Sequence, residues 1–287
     1  QSTYHRHTLW SAFVPEGPEI RRAADALSNA LAGLPIDHIR LPYHRLRPFG
    51  PRLRGQRITA FRTHGKALLT EFDNDWTMYS HNQLYGLWQV ARAHDPLLPG
   101  RALRLELGHK DQCIRLYSAT DISLWRTDDV AQHPFLSRLG PDILGPSLTP
   151  QTIVERLTST RFQNQSLGKL YLDQRFLAGV GNYLRSEILF RAGVNGQCRP
   201  NQLSLKRLTR LARETLETSQ QSYETAGITL NTRRAAGLQK AGADFEQSRF
   251  WVFDRAGLPC YQCEQPIQHS TMVSRRLYTC LLCQESP

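Results

Sequence analysis

Four cysteines near the C-terminal end constrain what this chain can fold into more than any other feature of its sequence. They form two Cys-x2-Cys pairs, and sixteen residues separate the first pair from the second. Two such pairs place four thiolates where they can close a tetrahedron around Zn²⁺, and a site with four protein ligands is structural. The alternatives are four unrelated thiols or two disulfides, but the other two cysteines stand alone, which does not fit a disulfide framework. We expect one structural Zn²⁺ bound by Cys260, Cys263, Cys280 and Cys283.

The charge of the chain points to an anionic partner. The 287 residues carry a formal net charge of +11, and a basic excess of this size favours nucleic acid or an anionic membrane surface. Because 31 of the 36 basic residues are Arg, a bias in genome composition explains the same excess, and the charge alone supports nucleic-acid binding weakly. No apolar run approaches the ~20 residues of a membrane span, and residues 1–13 make a poor signal peptide. We expect a cytoplasmic, nucleoid-associated protein without a membrane partner.

The first half of the chain predicts one helix followed by many short strands. Apolar residues recur at helical spacing from Ile20 to Leu34, and Gly33 and Pro35 end that helix. Between residues 36 and 126 the pattern changes to short strands separated by turn residues, which is typical of a β-sandwich. The seven predicted strands are Arg57–Thr63, Ala67–Phe72, Trp76–His81, Gly86–Ala91, Ala102–Leu107, Cys113–Ser118 and Ile122–Trp125.

The second half of the chain predicts helices and then a small β-structure. Residues 133–146 are punctuated by Gly and Pro and predict a linker between domains. From Arg249 onward the pattern turns to β-structure and cysteine, with a hairpin at about Met272 to Thr279. The helices between these segments are expected from Thr149 to Leu157, from Leu167 to Leu172, from Tyr183 to Arg191 and from about Leu203 to Ser219.

Two polar residues in this second half have more than one interpretation. The turn Gly179-Val180-Gly181-Asn182 leads into a helix N-terminus, which offers free N–H groups and a partial positive charge to a phosphate. Asn182 either caps that helix or binds a phosphate, and the plain cap is the commoner role. Arg275, at the tip of the hairpin, is either a solvated turn residue or a contact to a phosphate or a lesion, and its type and place do not decide between the two.

Pro15 and Glu16 precede the first helix, and they also allow two interpretations. In the first they belong to ordinary helix-start chemistry, together with Pro18 near the first helical position and Glu19 at the positive end of the helix dipole. In the second, Pro15 is a chain terminus. Its secondary amine, with an α-amino pKa of about 7.7–8, is then partly neutral at physiological pH and can attack a sugar carbon, while Glu16 moves protons.

The segment Val14-Pro15-Glu16-Gly17-Pro18-Glu19-Ile20-Arg21-Arg22 resembles the N-terminus of the formamidopyrimidine-DNA glycosylase / endonuclease VIII family, and is closest to its endonuclease VIII branch. Motifs around Lys66, Tyr85, Asn182 and the four cysteines follow in the family's order. The resemblance implies an α+β fold: an N-terminal β-sandwich with one leading helix, then a helical helix–two-turn–helix domain that ends in a zinc-ribbon β-hairpin. The implied division is an extension at 1–14, a catalytic domain at 15–132, a linker at 133–146, a DNA-binding domain at 147–248 and a zinc finger at 249–287.

The resemblance also implies a role for each motif. Pro15 is the implied nucleophile and Glu16 the proton donor to the sugar, while Lys66 and Arg275 assist the eliminations that cut the strand. The implied contacts with DNA come from a void-filling loop that enters the duplex, from an arginine in the linker and from the turn before the helix. These implied DNA-binding residues are Gln83, Leu84, Tyr85, Arg138 and Asn182.

Residues 1–14 depart from the family pattern, because family members begin at the proline. A proline nitrogen in a peptide bond has no lone pair to attack with, so a chain that retains these residues is expected to have no lyase activity. We therefore expect Val14 to be the true initiator, encoded by a non-standard start codon.

The function implied by the resemblance is base excision repair of double-stranded damaged DNA by a monomeric enzyme. It combines a DNA glycosylase that removes oxidised pyrimidines with an abasic-site lyase, through an N-terminal proline Schiff base and β,δ-elimination, and needs no redox or nucleotide cofactor. Two alternatives stay open. One is the formamidopyrimidine branch, which acts on oxidised purines, and the other is a catalytically silent zinc-ribbon protein that only binds DNA.

Overall fold

The computed structural model describes residues 15–285, and these residues form two compact units. Helix α1 (Gly17–Leu31) contributes residues to both units. The predicted extension at 1–14 lies outside the described residues, and the predicted domain boundaries stay a prediction. The first unit holds Pro15, residues 23–62 and residues 67–130, and the second holds residues 16–22, 63–66 and 131–285.

The first unit is a β-sandwich of two four-stranded sheets. Its strands are β1 (His38–Arg40), β2 (Ile58–His64), β3 (Ala67–Phe72), β4 (Trp76–His81), β5 (Leu87–Arg92), β6 (Leu103–His109), β7 (Gln112–Tyr117) and β8 (Asp121–Arg126). One sheet has the order β1-β6-β7-β5 and the other β2-β3-β4-β8. The inner strands β4 and β7 are buried along most of their length, which places the core between the sheets. All seven predicted strands are present with ends moved by at most two residues, and only the three-residue β1 was not predicted.

Helix α1 buries the apolar stripe that its sequence predicts. Ile20, Ala24 and Leu27 are each at most 2% exposed. The helix ends at Leu31 rather than Leu34, and Leu34 is 37% exposed outside it. The apolar periodicity therefore extends one turn too far, whereas Gly33, which was expected to end the helix, turns the chain out of it at φ +79°.

The helices of the second unit begin and end at recognisable caps. Thr149 and Ser204 accept hydrogen bonds from backbone N–H groups three residues on, and Gly193 ends one helix at φ 70°. The last helix was not predicted, and the long helix continues five residues beyond the predicted Ser219. After the short α2 (Gly50–Leu53) of the first unit, the helices are α3 (Pro150–Thr158), α4 (Leu167–Leu170), α5 (Asn182–Ala192), α6 (Leu205–Glu224) and α7 (Thr232–Lys240).

The second unit ends in the predicted β-hairpin, formed by β9 (Gln268–Met272) and β10 (Arg275–Thr279). Val273 and Ser274 connect the strands with φ of 53° and 57°, the pattern of a tight two-residue hairpin turn. An α+β fold with a sandwich, a helical domain and a cysteine-bearing hairpin is therefore confirmed. Within residues 15–285, no helix combines the length and apolar character needed to cross a bilayer.

Candidate active site

The carboxylate of Glu16 lies buried against the first turn of helix α5. It accepts hydrogen bonds from the backbone N–H groups of Gly181 at 2.7 Å, Tyr183 at 2.8 Å and Leu184 at 3.3 Å. These N–H groups have no partner within the helix, and the helix dipole favours a negative group at this end. The turn before α5 therefore binds the carboxylate of Glu16, although 165 residues separate Glu16 from Gly181 in the sequence.

Glycine is required where this turn meets Glu16. A Cβ built on Gly181 would lie 2.5 Å from Glu16 Oε1, well inside van der Waals contact. The turn itself is fixed by Gln174, whose amide accepts from Gly179 N at 3.0 Å and donates to Val180 O at 2.8 Å. The backbone can approach the carboxylate closely only because residue 181 has no side chain.

Burial raises the pKa of Glu16 to about 7, from an ordinary value of 4.5. The positive charge of Lys66 opposes this shift, the negative charge of Glu19 adds to it, and the N–H groups of Tyr183 and Gly181 oppose it. A carboxyl group with a pKa near 7 is partly protonated at neutral pH and can donate a proton there. Desolvation therefore gives this glutamate the property that a general acid needs.

Glu19 supports Glu16 from one helical turn away. Its carboxylate accepts the backbone N–H of Glu16 at 3.0 Å and the hydroxyl of Tyr183 at 2.9 Å, and Arg249 lies 3.9 Å from it. The Tyr183 hydroxyl also lies 2.8 Å from Ser222 Oγ on helix α6. Burial raises the pKa of Glu19 as well. The two acidic groups of the Pro-Glu-Gly-Pro-Glu segment thus form one hydrogen-bonded unit with α5.

Lys66 is brought to the same place by the turn between β2 and β3. Gly65 adopts φ +60°, donates its N–H to Asp142 at 2.6 Å, and leaves no room for a Cβ, which would lie 2.8 Å from the Ala178 side chain. Burial lowers the pKa of Lys66, the charge of Glu16 raises it, and the charge of Arg275 lowers it again. Lys66 therefore lies within electrostatic reach of both Glu16 and Arg275.

The hairpin that carries Arg275 is tied to α5 by a buried arginine. Arg185 donates to Gly168 O at 2.8 Å, to Arg276 O at 3.1 Å and to Asn182 Oδ1 at 2.6 Å. Desolvation lowers its pKa to about 10. Asn182 is the first residue of α5 rather than its cap, which is Gly181, so its side chain does not cap the helix. One guanidinium thus links Asn182 and the strand of Arg275.

The four cysteines form one cluster. Their Sγ atoms all lie within 4.8 Å of one another, with 3.9 Å between Cys260 and Cys283 and 3.3 Å between Cys263 and Cys280. Zn–S bonds of about 2.3 Å in a tetrahedron separate the sulfur atoms by about 3.8 Å. The donor set fits one metal ion, as in a zinc finger. In the described part of the chain, no other group of His, Cys, Asp or Glu is arranged in this way.

Arg138 lines a basic cavity in the second unit. The cavity has a volume of about 520 Å³ and is also lined by Arg156, Arg161 and Arg175. Arg156 is held by the carbonyl oxygens of Phe176 and Arg175 at 2.9 and 2.7 Å, and Arg175 by Asp173. Four guanidinium groups around one space suit an anion.

The predicted void-filling loop is exposed. Leu84 is 54% and Tyr85 72% exposed, and they are among the exposed large hydrophobic residues of the described chain. Gln83 adopts φ 53°, donates its N–H to His81 Nδ1 at 3.0 Å, and accepts from the Thr120 hydroxyl at 2.7 Å. The loop therefore presents an apolar and an aromatic side chain to solvent from a braced turn.

Pro15 is partly buried and directly precedes Glu16. Residues before it lie outside the described part of the chain. The backbone just after it is fixed, because Gly17 donates its N–H to Gly179 O at 2.8 Å.

Comparison with known proteins decides the family. Residues 14–120 match the formamidopyrimidine-DNA glycosylase N-terminal domain, and residues 139–234 match the formamidopyrimidine-DNA glycosylase H2TH domain. Endonuclease 8 of Escherichia coli (strain K12 / DH10B) is 44% identical over 271 residues, which cover 94% of this chain and 100% of that protein. The chain belongs to the formamidopyrimidine-DNA glycosylase family. Endonuclease 8 of Shigella sonnei (strain Ss046) gives the same identity and coverage.

Solved structures in the formamidopyrimidine-DNA glycosylase family share the fold. Lactococcus lactis formamidopyrimidine-DNA glycosylase, bound non-covalently to DNA containing an AP site, has a TM-score of 0.78 at 22% identity, covering 94% of this chain and 100% of that one. The L. lactis protein with N7-benzyl-Fapy-dG DNA has a TM-score of 0.79 at 23% identity, covering 95% and 100%. The resemblance read from the sequence is therefore confirmed, and the chain is a DNA-repair glycosylase of this family.

Sequence reasoning missed several residues that build the site. Glu19 was assigned only to the helix dipole, and Tyr183 and Asp142 were given no role, although each fixes Glu16 or the turn before Lys66. A signal for Glu19 was present, since it lies one helical turn after Glu16. Nothing local in the sequence marks Asp142 as a partner of Gly65, because 77 residues separate them.

Proposed function

We propose that this protein excises oxidised pyrimidines from duplex DNA and then cuts the strand at the resulting abasic site. The observation that carries the proposal is the environment of Glu16. A buried carboxyl group with a pKa near 7 follows Pro15 in the chain, is cradled by the N-terminus of α5, and is coupled electrostatically to Lys66. Such a group suits proton donation to a sugar while a neighbouring amine attacks it.

The first step requires Pro15 as the first residue of the chain. Its neutral nitrogen attacks C1′ of the damaged nucleotide, and the glycosidic C–N bond breaks as the base leaves with the bonding electrons. Glu16 donates a proton to the ring oxygen, the C1′–O4′ bond opens, and loss of the amine proton leaves an iminium. Burial of Glu16 supports its role as the proton donor in this step, because its proton is available near neutral pH.

The iminium then makes the strand breaks possible. Removal of a C2′ proton expels the 3′ phosphate (β-elimination), a second proton loss expels the 5′ phosphate (δ-elimination), and water releases Pro15. Lys66 and Arg275 are the proposed helpers, since Lys66 has a lowered pKa and lies within electrostatic reach of Glu16 and Arg275. A lysine amine whose pKa is lowered by burial can exchange protons, whereas a guanidinium mainly stabilises phosphate charge.

Three features support binding of duplex DNA that has one nucleotide extruded from the stack. The cavity at Arg138 suits a backbone phosphate. Asn182 is the second proposed phosphate contact, through its side-chain NH₂ group, because the N–H groups of the neighbouring turn bind Glu16. Exposed Leu84 and Tyr85, with Gln83, suit the space that an extruded nucleotide leaves in the stack. One contiguous loop of this kind is the feature that favours pyrimidine lesions over the purine lesions of the formamidopyrimidine branch.

We infer that the metal at the cysteine cluster is Zn²⁺. Four thiolates at tetrahedral spacing suit a closed structural zinc site, and reduced thiols suit the cytoplasm, where we place the protein with the chromosome. The ion would hold the base of the hairpin that carries Arg275. It supplies folding stability there rather than reaction chemistry.

A lesion panel with borohydride trapping tests the proposal. Protein whose first residue is Pro15 is incubated with duplexes that contain thymine glycol, 8-oxoguanine, an abasic site or no lesion, and sodium borohydride reduces any iminium to a covalent adduct. We expect faster excision of thymine glycol than of 8-oxoguanine, with trapped adduct on both abasic and thymine glycol DNA. Protein that retains residues before Pro15 is the matched control and should form no adduct.

Two outcomes would favour the alternatives. Equal or faster excision of 8-oxoguanine would assign the protein to purine lesions. DNA binding without any trapped adduct from the Pro15-initiated protein would leave a binding protein without lyase chemistry.

A further inference from the structure

A long segment of the β-sandwich unit carries basic residues and no acidic ones. Between Asp37 and Glu71 lie seven Arg and one Lys, with no Asp or Glu among 33 residues. The net charge of this segment is +8, against +11 for the whole chain. Most of the positive excess of the protein is therefore concentrated in about one ninth of its length.

Five of these arginines form what we call the arginine surface: Arg45, Arg47, Arg52, Arg54 and Arg57. All five are exposed. Within residues 15–285 none of the five has a carboxylate within ion-pair distance, whereas Arg62, just beyond them, pairs with Glu71 at 2.8 Å. Repulsion among unpaired like charges costs stability unless an anion binds them.

The segment that carries the arginine surface is firmly packed. Leu46 and Leu53 are each 2% exposed, and Tyr43 is 9% exposed and donates its hydroxyl to Thr120 O at 3.0 Å. Several guanidinium groups also bond carbonyl oxygens, as Arg57 does to Gly33 O at 2.8 Å. The charges are therefore pre-positioned, which lowers the entropy cost of binding a partner.

Aromatic rings stiffen the same surface. The Arg52 guanidinium lies 4.9 Å from the ring centre of Trp76 and 5.9 Å from that of Phe49, and Arg126 lies 5.4 Å from Trp76 on β4. A stacked guanidinium keeps its edge free to donate in-plane hydrogen bonds. Such an edge matches the oxygens of a phosphate group.

We propose that the arginine surface is a second binding site for nucleic acid, which holds the phosphate backbone of DNA independently of the lesion. Arginine forks suit phosphate, and five exposed arginines within thirteen residues suit a repeating backbone. A membrane surface fits less well, since membrane binding also inserts apolar side chains. None of the exposed large hydrophobic residues of the described chain falls between Asp37 and Glu71. The proposal rests on the proposed function only in naming DNA as the polyanion.

The test measures how salt weakens binding to an undamaged duplex. Each phosphate contact contributes about 0.9 to the slope of log affinity against log salt concentration. Arg45→Gln with Arg54→Gln should therefore flatten the slope by about 1.8 and weaken binding about tenfold or more at 0.1 M salt. The matched control, Arg62→Gln with Arg92→Gln, removes the same charge from arginines that already pair with Glu71 and Asp111, and should change the slope far less.

Every outcome of this test decides the proposal. Equal slopes for the first pair and the wild type, or equal losses in both pairs, would overturn it. Unchanged DNA binding with lost binding to phosphatidylserine vesicles would assign the surface to membranes instead. If the first pair proves unstable on melting, Arg47→Gln with Arg52→Gln replaces it.

Excision of thymine glycol under single-turnover conditions with saturating enzyme should stay unchanged in all pairs. Failure of excision in the wild type would count against the proposed function but leave the slope test valid.

Discussion

Two buried glutamates of the second unit look alike in their hydrogen bonds but differ in what surrounds them. Glu16 accepts three backbone N–H groups at the start of α5. Glu187, in the middle of α5, also accepts three, from Trp251, Val252 and Phe253 at 2.8 to 2.9 Å, together with the hydroxyl of Thr229. Glu16 is 3% and Glu187 0% exposed.

The difference lies in the charges beside each carboxylate and in what each one holds. Glu16 is influenced by Lys66 and by the like charge of Glu19, and its pKa rises to about 7. Glu187 joins α5 to the turn at residues 251–253 by three of its four bonds and to Thr229 by the fourth. Hydrogen-bond number therefore does not separate these two carboxylates, whereas the position of Glu16 beside Lys66 and Glu19 does.

Glu16→Gln should produce the largest effect on activity. We expect base excision to fall about a thousandfold, since a general acid contributes about 10²–10⁴, while affinity for lesion DNA stays within a few-fold. The measurement is single-turnover excision beside a binding titration. Folding raises the pKa of Glu16, so the native state loses stability as pH rises from 4.5 through 7. The variant should therefore melt at the same or a higher temperature at pH 8, and normal excision would remove Glu16 from the mechanism.

Glu187→Gln should show the opposite pattern. An amide supplies one acceptor oxygen in place of two and turns an NH₂ donor toward backbone N–H donors, which leaves buried groups unsatisfied. We expect a loss of about 3 kcal/mol in the free energy of unfolding. Urea unfolding measures it, and excision per folded molecule is the control. Loss of excision in a stably folded protein would contradict the structural role.

Gly181→Ala tests the cradle of Glu16 without changing any charge. The new Cβ would overlap the Glu16 Cδ, so the carboxyl group must shift. A misplaced catalytic group costs about tenfold to a hundredfold in rate. Gly237→Ala in α7 is the matched control, because no atom lies within 4 Å of its added Cβ, and it should stabilise the helix by about 0.5–1 kcal/mol. Unchanged excision by Gly181→Ala would show that the close approach is not needed.

Local patterns in the sequence were enough for most elements, and long-range contacts account for what was missed. The strands are short and bounded by turn residues, so all seven were predicted. Helix α7 was missed because, of its residues Thr232–Lys240, only Ala235 is buried, and an exposed helix carries no apolar stripe. Its N-cap, Asn231, accepts from Arg234 N, and that signal was readable.

The residues of the candidate site also divide into those that local sequence motifs identify and those that only long-range contacts reveal. Glu16 and Lys66 stand in motifs that the family resemblance identifies, and the cysteine spacing is diagnostic without any family. The partners that set their pKa values come from residues far apart in sequence, as with Glu19 and Tyr183, which 164 residues separate. Their roles depend on tertiary packing, which local sequence does not encode.

The pH dependence of excision should report on the charges that surround Glu16. The nucleophile must be neutral, with an amine pKa of about 7.7–8, and Glu16 must be protonated, with a pKa of about 7. The profile of kcat/KM should therefore be bell-shaped with a maximum near pH 7.4, falling on the acid side as Pro15 protonates and on the alkaline side as Glu16 ionises.

Glu19→Gln should move one limb of that profile and leave the other in place. The charge of Glu19 raises the pKa of Glu16, so removing it lowers that pKa and ionises Glu16 at lower pH. Whichever of the two kinetic pKa values belongs to Glu16, lowering the pKa of Glu16 moves the optimum of the profile to lower pH. We expect a shift of about half a pH unit, as for a partly screened neighbouring charge. The amide keeps an acceptor for the Tyr183 hydroxyl, so melting temperature serves as the control. An unshifted optimum in a stable variant would mean that Glu19 is already neutral in the working range, and that burial alone sets the proton affinity of Glu16.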